Sequence, residues 1–386
     1  MQTAVPLSRT TKAVIAIAFV LYSAYNIVLT SLQDYILLLS SDPSALGTSF
    51  GIFTLAAVIS RFISGYILER IDDAVALVIG NSILTVILAA YSLTTSISVI
   101  FFIRAVQGFG WALSTVTVLT MIAENTESSG VSGALGYLNG FGSISLLIFP
   151  AFGSWLVAIK TVEIFRLCFI IAAGISGTST ALSIYAWRTS PVIVAHDIPM
   201  SGIADRTVLV PTLSAVLLFM ALGVLLSYSP EIAALNGIEN PGAFFSVFAF
   251  AQIIGSTAGG AWTGSSRYGQ TATIGALITV AGIIFLALFT GVYSYVASAL
   301  AVGFGLAMAN IALNSYVSSV SRESEANGMA MYSAGGDTAI AIGSFGTAAL
   351  LGLSWSLATI LAIFACTAFL SSMYSYFAIG SLERRT

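Results

Sequence analysis

Four ionisable residues stand inside otherwise apolar runs: Asp34, Arg61, Arg104 and Asp337. A charge at the centre of a bilayer-spanning helix costs about 2.5 to 3.5 kcal/mol on insertion scales, so each needs a partner, a wet cavity or a reach to the interface. Arg104 is followed three and seven residues on by Gln107 and Trp111. On a helix that spacing makes a polar stripe aimed at a cavity, unless the arginine snorkels outward. Asp337 follows Gly335-Gly336 with no basic residue in its own span. It is either a carboxyl that loads and releases a proton or one hydrogen-bonded structurally to a neighbouring helix. Asp34 lies five residues before Leu39, which leaves interface and cavity positions both open. Arg61 either snorkels or binds an anionic group. Aromatic and amide residues complete the candidate cavity lining: Tyr22, Tyr25, Asn26, Tyr137, Asn139, Asn310, Asn314 and Tyr332. The same types also serve membrane interfaces and helix packing. Enzyme chemistry finds little footing. The single histidine, His196, lies in a polar interval, and there is no His-Glu-x-x-His or phosphate-binding loop. The expectation is a non-enzyme without metal or cofactor.

These residues must be positioned by helices. The chain is 58% hydrophobic and 8% charged, with mean hydropathy +0.99, against roughly half and a quarter in soluble domains. A bilayer needs about 20 apolar residues per helix and admits only helices or closed barrels; without period-two alternation, helices are expected. Twelve spans are predicted, at about Ala13–Leu39, Ala45–Leu68, Ala74–Leu93 and Ile97–Ala123, a fifth ending near Ala158 and a sixth at Trp187. Six more follow at about Thr207–Tyr228, Pro241–Gly264, Thr271–Tyr293, Tyr295–Val320, Asn327–Leu353 and Ser354–Ile379. The segment after Met1 is read as a retained first helix rather than a cleaved signal. Cys168 and Cys366 sit in apolar runs and imply no disulfide. With a cytoplasmic amino terminus, nine basic residues (Arg9, Lys12, Arg70, Arg188, Arg206, Arg267, Arg322, Arg384, Arg385) fall inside, and Lys160 alone outside. That bias predicts a multi-pass protein of the plasma membrane with both termini cytoplasmic.

The halves repeat. Gln107-Gly108-Phe109-Gly110-Trp111-Ala112-Leu113 is echoed by Val302-Gly303-Phe304-Gly305-Leu306-Ala307-Met308, an offset of 195 residues. The same offset carries Gly133, Tyr137 and Gly140 onto Gly328, Tyr332 and Gly335, and Gly65 onto Gly260; after a two-residue insertion Arg70 meets Arg267. Two pseudo-symmetric six-helix bundles, 1–187 and 207–386, joined by a cytoplasmic linker 188–206, are therefore expected, with a site at the midplane between them. Glycines four apart, Gly136/Gly140, Gly255/Gly259 and Gly260/Gly264, are read as close helix contacts.

A burst of charge between the second and third spans carries a family likeness. The sequence resembles the major facilitator superfamily, whose loop there reads Gly-x-x-x-Asp-Arg-x-Gly-Arg; Gly65, Glu69 and Arg70 match, while Asp72 and Asp73 depart. The family's Arg-x-x-Gln-Gly is matched by Arg104, Gln107 and Gly108, and Pro150-Ala151-Phe152-Gly153 partly resembles the Gly-Pro-x-x-Gly of drug antiporters, with Phe149 in place of the first glycine. The resemblance implies alternating access, a proton-coupling role for Arg104, and a cytoplasmic gate in which Glu69 meets the start of the eleventh helix. Gly65, Arg70 and Arg267 are assigned to the same gate, and Asp34, Arg104 and Asp337 to proton coupling. The expected function is proton-coupled efflux of a small organic solute by a monomer that handles no nucleic acid. The alternative is a symporter or exchanger for a sugar or organic anion, with Arg61 and Arg104 as its contacts.

Overall fold

The computed structural model describes residues 7–68, 70–126, 130–189, 206–263, 267–320 and 325–380. Among them the chain is helical, with no strand: α1 Arg9–Ser40, α2 Ser44–Leu68, α3 Asp73–Tyr91, α4 Ile97–Glu124, α5 Val131–Leu156, α6 Val162–Thr189, α7 Arg206–Ser227, α8 Ser229–Leu235, α9 Ala243–Thr263, α10 Tyr268–Leu288, α11 Val292–Val320, α12 Glu325–Gly352 and α13 Leu357–Tyr374, closed by a π-helical turn Ser375–Ile379. Eleven are long and apolar enough to cross a membrane among the described residues. α12, 28 residues long, occupies the place of the remaining expected span. The expected spans thus each meet a helix, and α8 is an addition. It lies between the expected seventh and eighth spans, where Pro230 in the first turn supplies the fixed φ that opens a helix without costing a hydrogen bond. Most of the expected linker, including His196, lies outside the described residues, and α6 runs to Thr189.

Two compact units emerge, one of residues 1–39 and 55–198, the other of 40–54 and 199–386. The division falls inside α2, whose first turns pack with the second unit. There Gly47 donates its backbone N–H to the Tyr228 hydroxyl at 3.2 Å. A Cβ on Gly47 would meet that hydroxyl and the Ser344 carbonyl, and one on Gly51 would meet the Phe345 ring. Burial holds the Tyr228 hydroxyl far above its ordinary range, so at neutral pH it keeps its proton while accepting from Gly47.

The first unit's core joins α1, α3, α4 and α5 through Val14, Ile17, Leu77, Val118, Ile122 and Leu138. Where apolar attraction cannot discriminate helix from lipid, hydroxyls and amides knit the contacts. Asn81 donates to Ser179 and Ser183 at 3.1 and 2.8 Å, and Ser179 donates to the Ile17 carbonyl. The Pro150-Gly153 pair builds the α1–α5 crossing: Thr30 donates to the Pro150 carbonyl at 3.1 Å, and a Cβ on Gly153 would strike the Ile27 carbonyl.

The second unit's core gathers α7, α10, α11, α12 and the π turn around Val208, Ala272, Leu313, Tyr316, Val317 and Tyr332. Its crossings are reciprocal. Cβ atoms on Gly223 and Gly343 would meet the carbonyls of Ile340 and Met220 across α7 and α12, and those on Gly255 and Gly303 would meet Phe304 and Phe248 across α9 and α11. Of the expected glycine pairs, Gly255/Gly259 packs against α11. A Cβ on Gly136, Gly140 or Gly260 would meet nothing within 4 Å, so that part of the expectation is corrected; four-residue spacing also occurs on faces that no helix covers. Gly264 lies outside the described residues.

Candidate substrate site

In the first unit, α4 sets the stripe. Gln107, 1% exposed, accepts from the Arg104 Nη1 at 3.0 Å and from the Tyr91 hydroxyl at 2.8 Å. One amide oxygen thus ties the guanidinium, itself 4% exposed, to the end of α3. One turn further along α4, the Trp111 ring lies 4.4 Å from Tyr25 and 5.5 Å from Tyr22, centroid to centroid. The Arg61 guanidinium is near enough for its charge to act on the Tyr22 hydroxyl. Asn26, on the same helix as the two tyrosines, donates to Ser145 of α5 at 2.9 Å. So Tyr22, Tyr25, Arg61, Arg104, Gln107 and Trp111 form one neighbourhood of three rings and two guanidinium groups. Tyr137 and Asn139 are exposed lower on α5 and do not join the rings.

Asp34 is held elsewhere. Its side chain, 3% exposed, pairs with Lys160 of the α5–α6 turn at 3.4 Å. Lys160 itself sits at φ +53°, in the left-handed region, and more than half of its side chain is in solvent. The pair therefore couples a buried acid to a wet cation. Lys160→Gln is expected to lower thermal stability, and Asp34→Asn to remove most of that loss, giving a coupling of about 1 kcal/mol in a double-mutant cycle of melting curves. Additive losses would show the pair to be energetically idle.

In the second unit, Asn310 of α11 accepts from Tyr332 of α12 at 2.8 Å and from Asn314 at 3.0 Å. Asp337, half-buried, lies on α12 beyond Tyr332.

At the charged hinge, Arg70 is exposed with its guanidinium 3.7 Å over the Tyr66 ring, Gly65 has open space around it, and Arg267 is exposed before α10. Glu69 lies outside the described residues. Asp72 is the N-cap of α3, accepting from the N–H of Ala74 at 2.7 Å and of Val75 at 3.4 Å. Aspartate and glycine differ by only a few tenths of a kcal/mol as caps, so aspartate can stand where the superfamily pattern has glycine at little cost to α3. Asp73 faces Glu124 at the end of α4.

Sequence reasoning missed Tyr91, Ser145 and Lys160 as partners. Lys160 had a signal: it was the one basic residue expected on the outer side, near the outer end of the span that carries Asp34. Tyr91 had none, since a phenol closing an apolar run resembles any interface tyrosine.

The family model described as the Major Facilitator Superfamily matches residues 14–343. The chain belongs to that superfamily. Among curated relatives it is similar to the vesicular acetylcholine transporter unc-17 of Caenorhabditis elegans, 34% identical over 131 residues, 33% of this chain and 25% of that protein. The vesicular acetylcholine transporter of Drosophila melanogaster is 33% identical over 111 residues, 28% of this chain and 19% of its own. The matched stretch thus spans a quarter or less of these relatives. Among solved structures, the nucleoside transporter NupG superposes with TM-score 0.75 at 13% identity, covering 95% of this chain and 98% of that one. A POT family transporter in complex with a thioalcohol-conjugated peptide gives 0.79 at 11%, covering 98% and 96%. A bacterial homologue of the human lysosomal transporter Spinster gives 0.73 at 13%, covering 97% and 96%. At these identities the likeness is one of fold. Within that fold the superfamily member is a multi-span membrane transporter, and the motif matched in full, on α4, supplies the Arg104–Gln107 hydrogen bond of the knot.

Proposed function

We propose that the protein exports a small amphipathic organic solute in exchange for protons, by alternating access. The observation that carries this reading is the first unit's cluster, where the Tyr22, Tyr25 and Trp111 rings adjoin the Arg104–Gln107–Tyr91 knot. The mutually tilted rings offer apolar faces to a flat or alkylated solute, and to an organic cation through the ring quadrupole. The relatives named for acetylcholine, a small organic cation, support that size and character. The buried amide and guanidinium provide donors whose arrangement changes if a solute takes one of them, which is how binding would bias a two-state carrier. Asp337 and Asp34 are the carboxyls assigned to proton exchange.

A second reading rests on Arg61 and Arg104: two guanidinium groups beside the same rings suit an organic anion moved together with protons. Purified protein in liposomes loaded with a pH-sensing dye separates the two. Under export in exchange, a solute such as a tetraalkylammonium ion entering the lumen drives protons out; under symport, an aromatic carboxylate entering carries protons in. Solute flux with no proton movement would overturn proton coupling, and absence of flux for either class would overturn the assigned solute.

A further inference from the structure

Tyr91 is the last residue of α3, and its phenol, 0% exposed, is gripped by its surroundings. The ring lies 5.6 Å from that of Phe169 on α6, which in turn packs against Tyr35 of α1 at 5.4 Å, centroid to centroid. The turn that follows is tied down as well, because the Tyr35 hydroxyl donates to the Thr94 carbonyl at 2.8 Å. Helices α1, α3 and α6 therefore set where the Tyr91 hydroxyl stands.

The groups it meets belong to α4. The hydroxyl donates to the Gln107 Oε1 at 2.8 Å, the same oxygen accepts from the Arg104 Nη1 at 3.0 Å, and the guanidinium is in hydrogen-bond contact with the phenol as well. The three side chains close a triangle in which both lone pairs of the amide oxygen are taken. Arg104 and Gln107 stand three residues apart on one helix, so their bond turns with α4 and fixes nothing relative to the rest of the unit. Tyr91 brings the anchor from another helix. A guanidinium held at one oxygen can swing about it, whereas one held at two has its plane defined.

We propose that Tyr91 is a positioning residue for Arg104: through the triangle it fixes the plane of the guanidinium, and so the orientation in which that charge serves transport. The proposal rests on the reading that Arg104 takes part in the transport cycle. The rings assigned to the solute, Tyr22, Tyr25 and Trp111, keep their contacts when the Tyr91 hydroxyl is removed, so the effect falls on the maximal rate and leaves the half-saturating concentration as it was.

Tyr91→Phe, which keeps the ring and removes the hydroxyl, tests this in two ways, with melting curves to establish folding. The first is nitrogen NMR of protein carrying isotope-labelled arginine, where a guanidinium with blocked rotation about Cζ–Nη gives resolved Nη signals and a free one an averaged signal. A resolved set that disappears in Arg104→Gln is expected in the wild type, and Tyr91→Phe should collapse it to the average. The second is flux in liposomes of tetraethylammonium, or of benzoate where that is the ion carried. The maximal rate of Tyr91→Phe should fall about fivefold, and adding Tyr91→Phe to Arg104→Gln should cost nothing further. Unchanged Arg104 signals in Tyr91→Phe would overturn the proposal. So would a wild-type maximal rate in Tyr91→Phe beside an impaired Arg104→Gln, or losses that multiply in the double variant. Wild-type flux in Arg104→Gln would instead overturn the role of Arg104 in transport, and the proposal with it.

Discussion

Gly343→Leu should abolish the folded protein while Gly260→Leu leaves it intact, although both change a glycine in an apolar helix. A Cβ at Gly343 would run into the Met220 carbonyl oxygen and lie 3.2 Å from the Met220 Cα, whereas at Gly260 it would meet nothing within 4 Å. The clash is with main chain, which no rotamer relieves, so α7 and α12 must separate along a seam that also carries the 2.7 Å Ser227–Ser344 hydrogen bond. Overpacking a tight core costs about 1 to 3 kcal/mol and more where backbone blocks the way. The expected result on size exclusion is aggregated or absent Gly343→Leu beside monodisperse Gly260→Leu. Equal behaviour of the two would refute the α7–α12 packing.

Arg104→Gln should cut solute flux by about tenfold or more, a loss of roughly 1.4 kcal/mol in barrier terms, at near-normal yield. Gln107 would retain the Tyr91 hydroxyl as a donor but lose the guanidinium, so the knot stays partly satisfied and the fold survives. Arg104→Lys should rescue little, because a flexible ammonium does not reproduce a planar fork of donors. The check is initial-rate flux in liposomes at matched protein density, read with the proton signal. Wild-type rates in Arg104→Gln would remove the residue from the transport cycle.

The helices were legible because lipid imposes a simple rule: long apolar runs, broken by turn residues, become spans. Of the weakly marked boundaries, Leu353–Ser354 is close, with α12 ending at Gly352 and Ser356 capping α13, whereas the one expected between Tyr293 and Tyr295 falls earlier, α10 ending at Leu288 and α11 opening at Val292, because no charged residue marks the turn there. Within the site, helical spacing placed Gln107 and Trp111 with Arg104, and Asn310 with Asn314, since those relations are local to one helix. Relations between helices were not legible. That Tyr91 reaches Gln107, that Asp34 reaches Lys160, and that Gly153 rather than Gly140 receives a neighbouring backbone depend on rotation and tilt, which one helix's spacing does not encode. Tyr137 illustrates the limit: its offset match to Tyr332 is sound in sequence, yet Tyr332 is 3% exposed in a hydrogen-bonded cluster and Tyr137 is 57% exposed.

The reciprocal glycines of the second unit also restrict how its sequence can drift. When two side chains collide, shrinking one makes room for the other, and a lineage can cross by two small steps. Here the obstacle facing Gly223, Gly255, Gly303 and Gly343 in each case is a carbonyl, and every amino acid carries the same carbonyl. No substitution in the opposing helix can open the space, so each of these four positions is locked by itself, without a partner through which a compensating change could arrive.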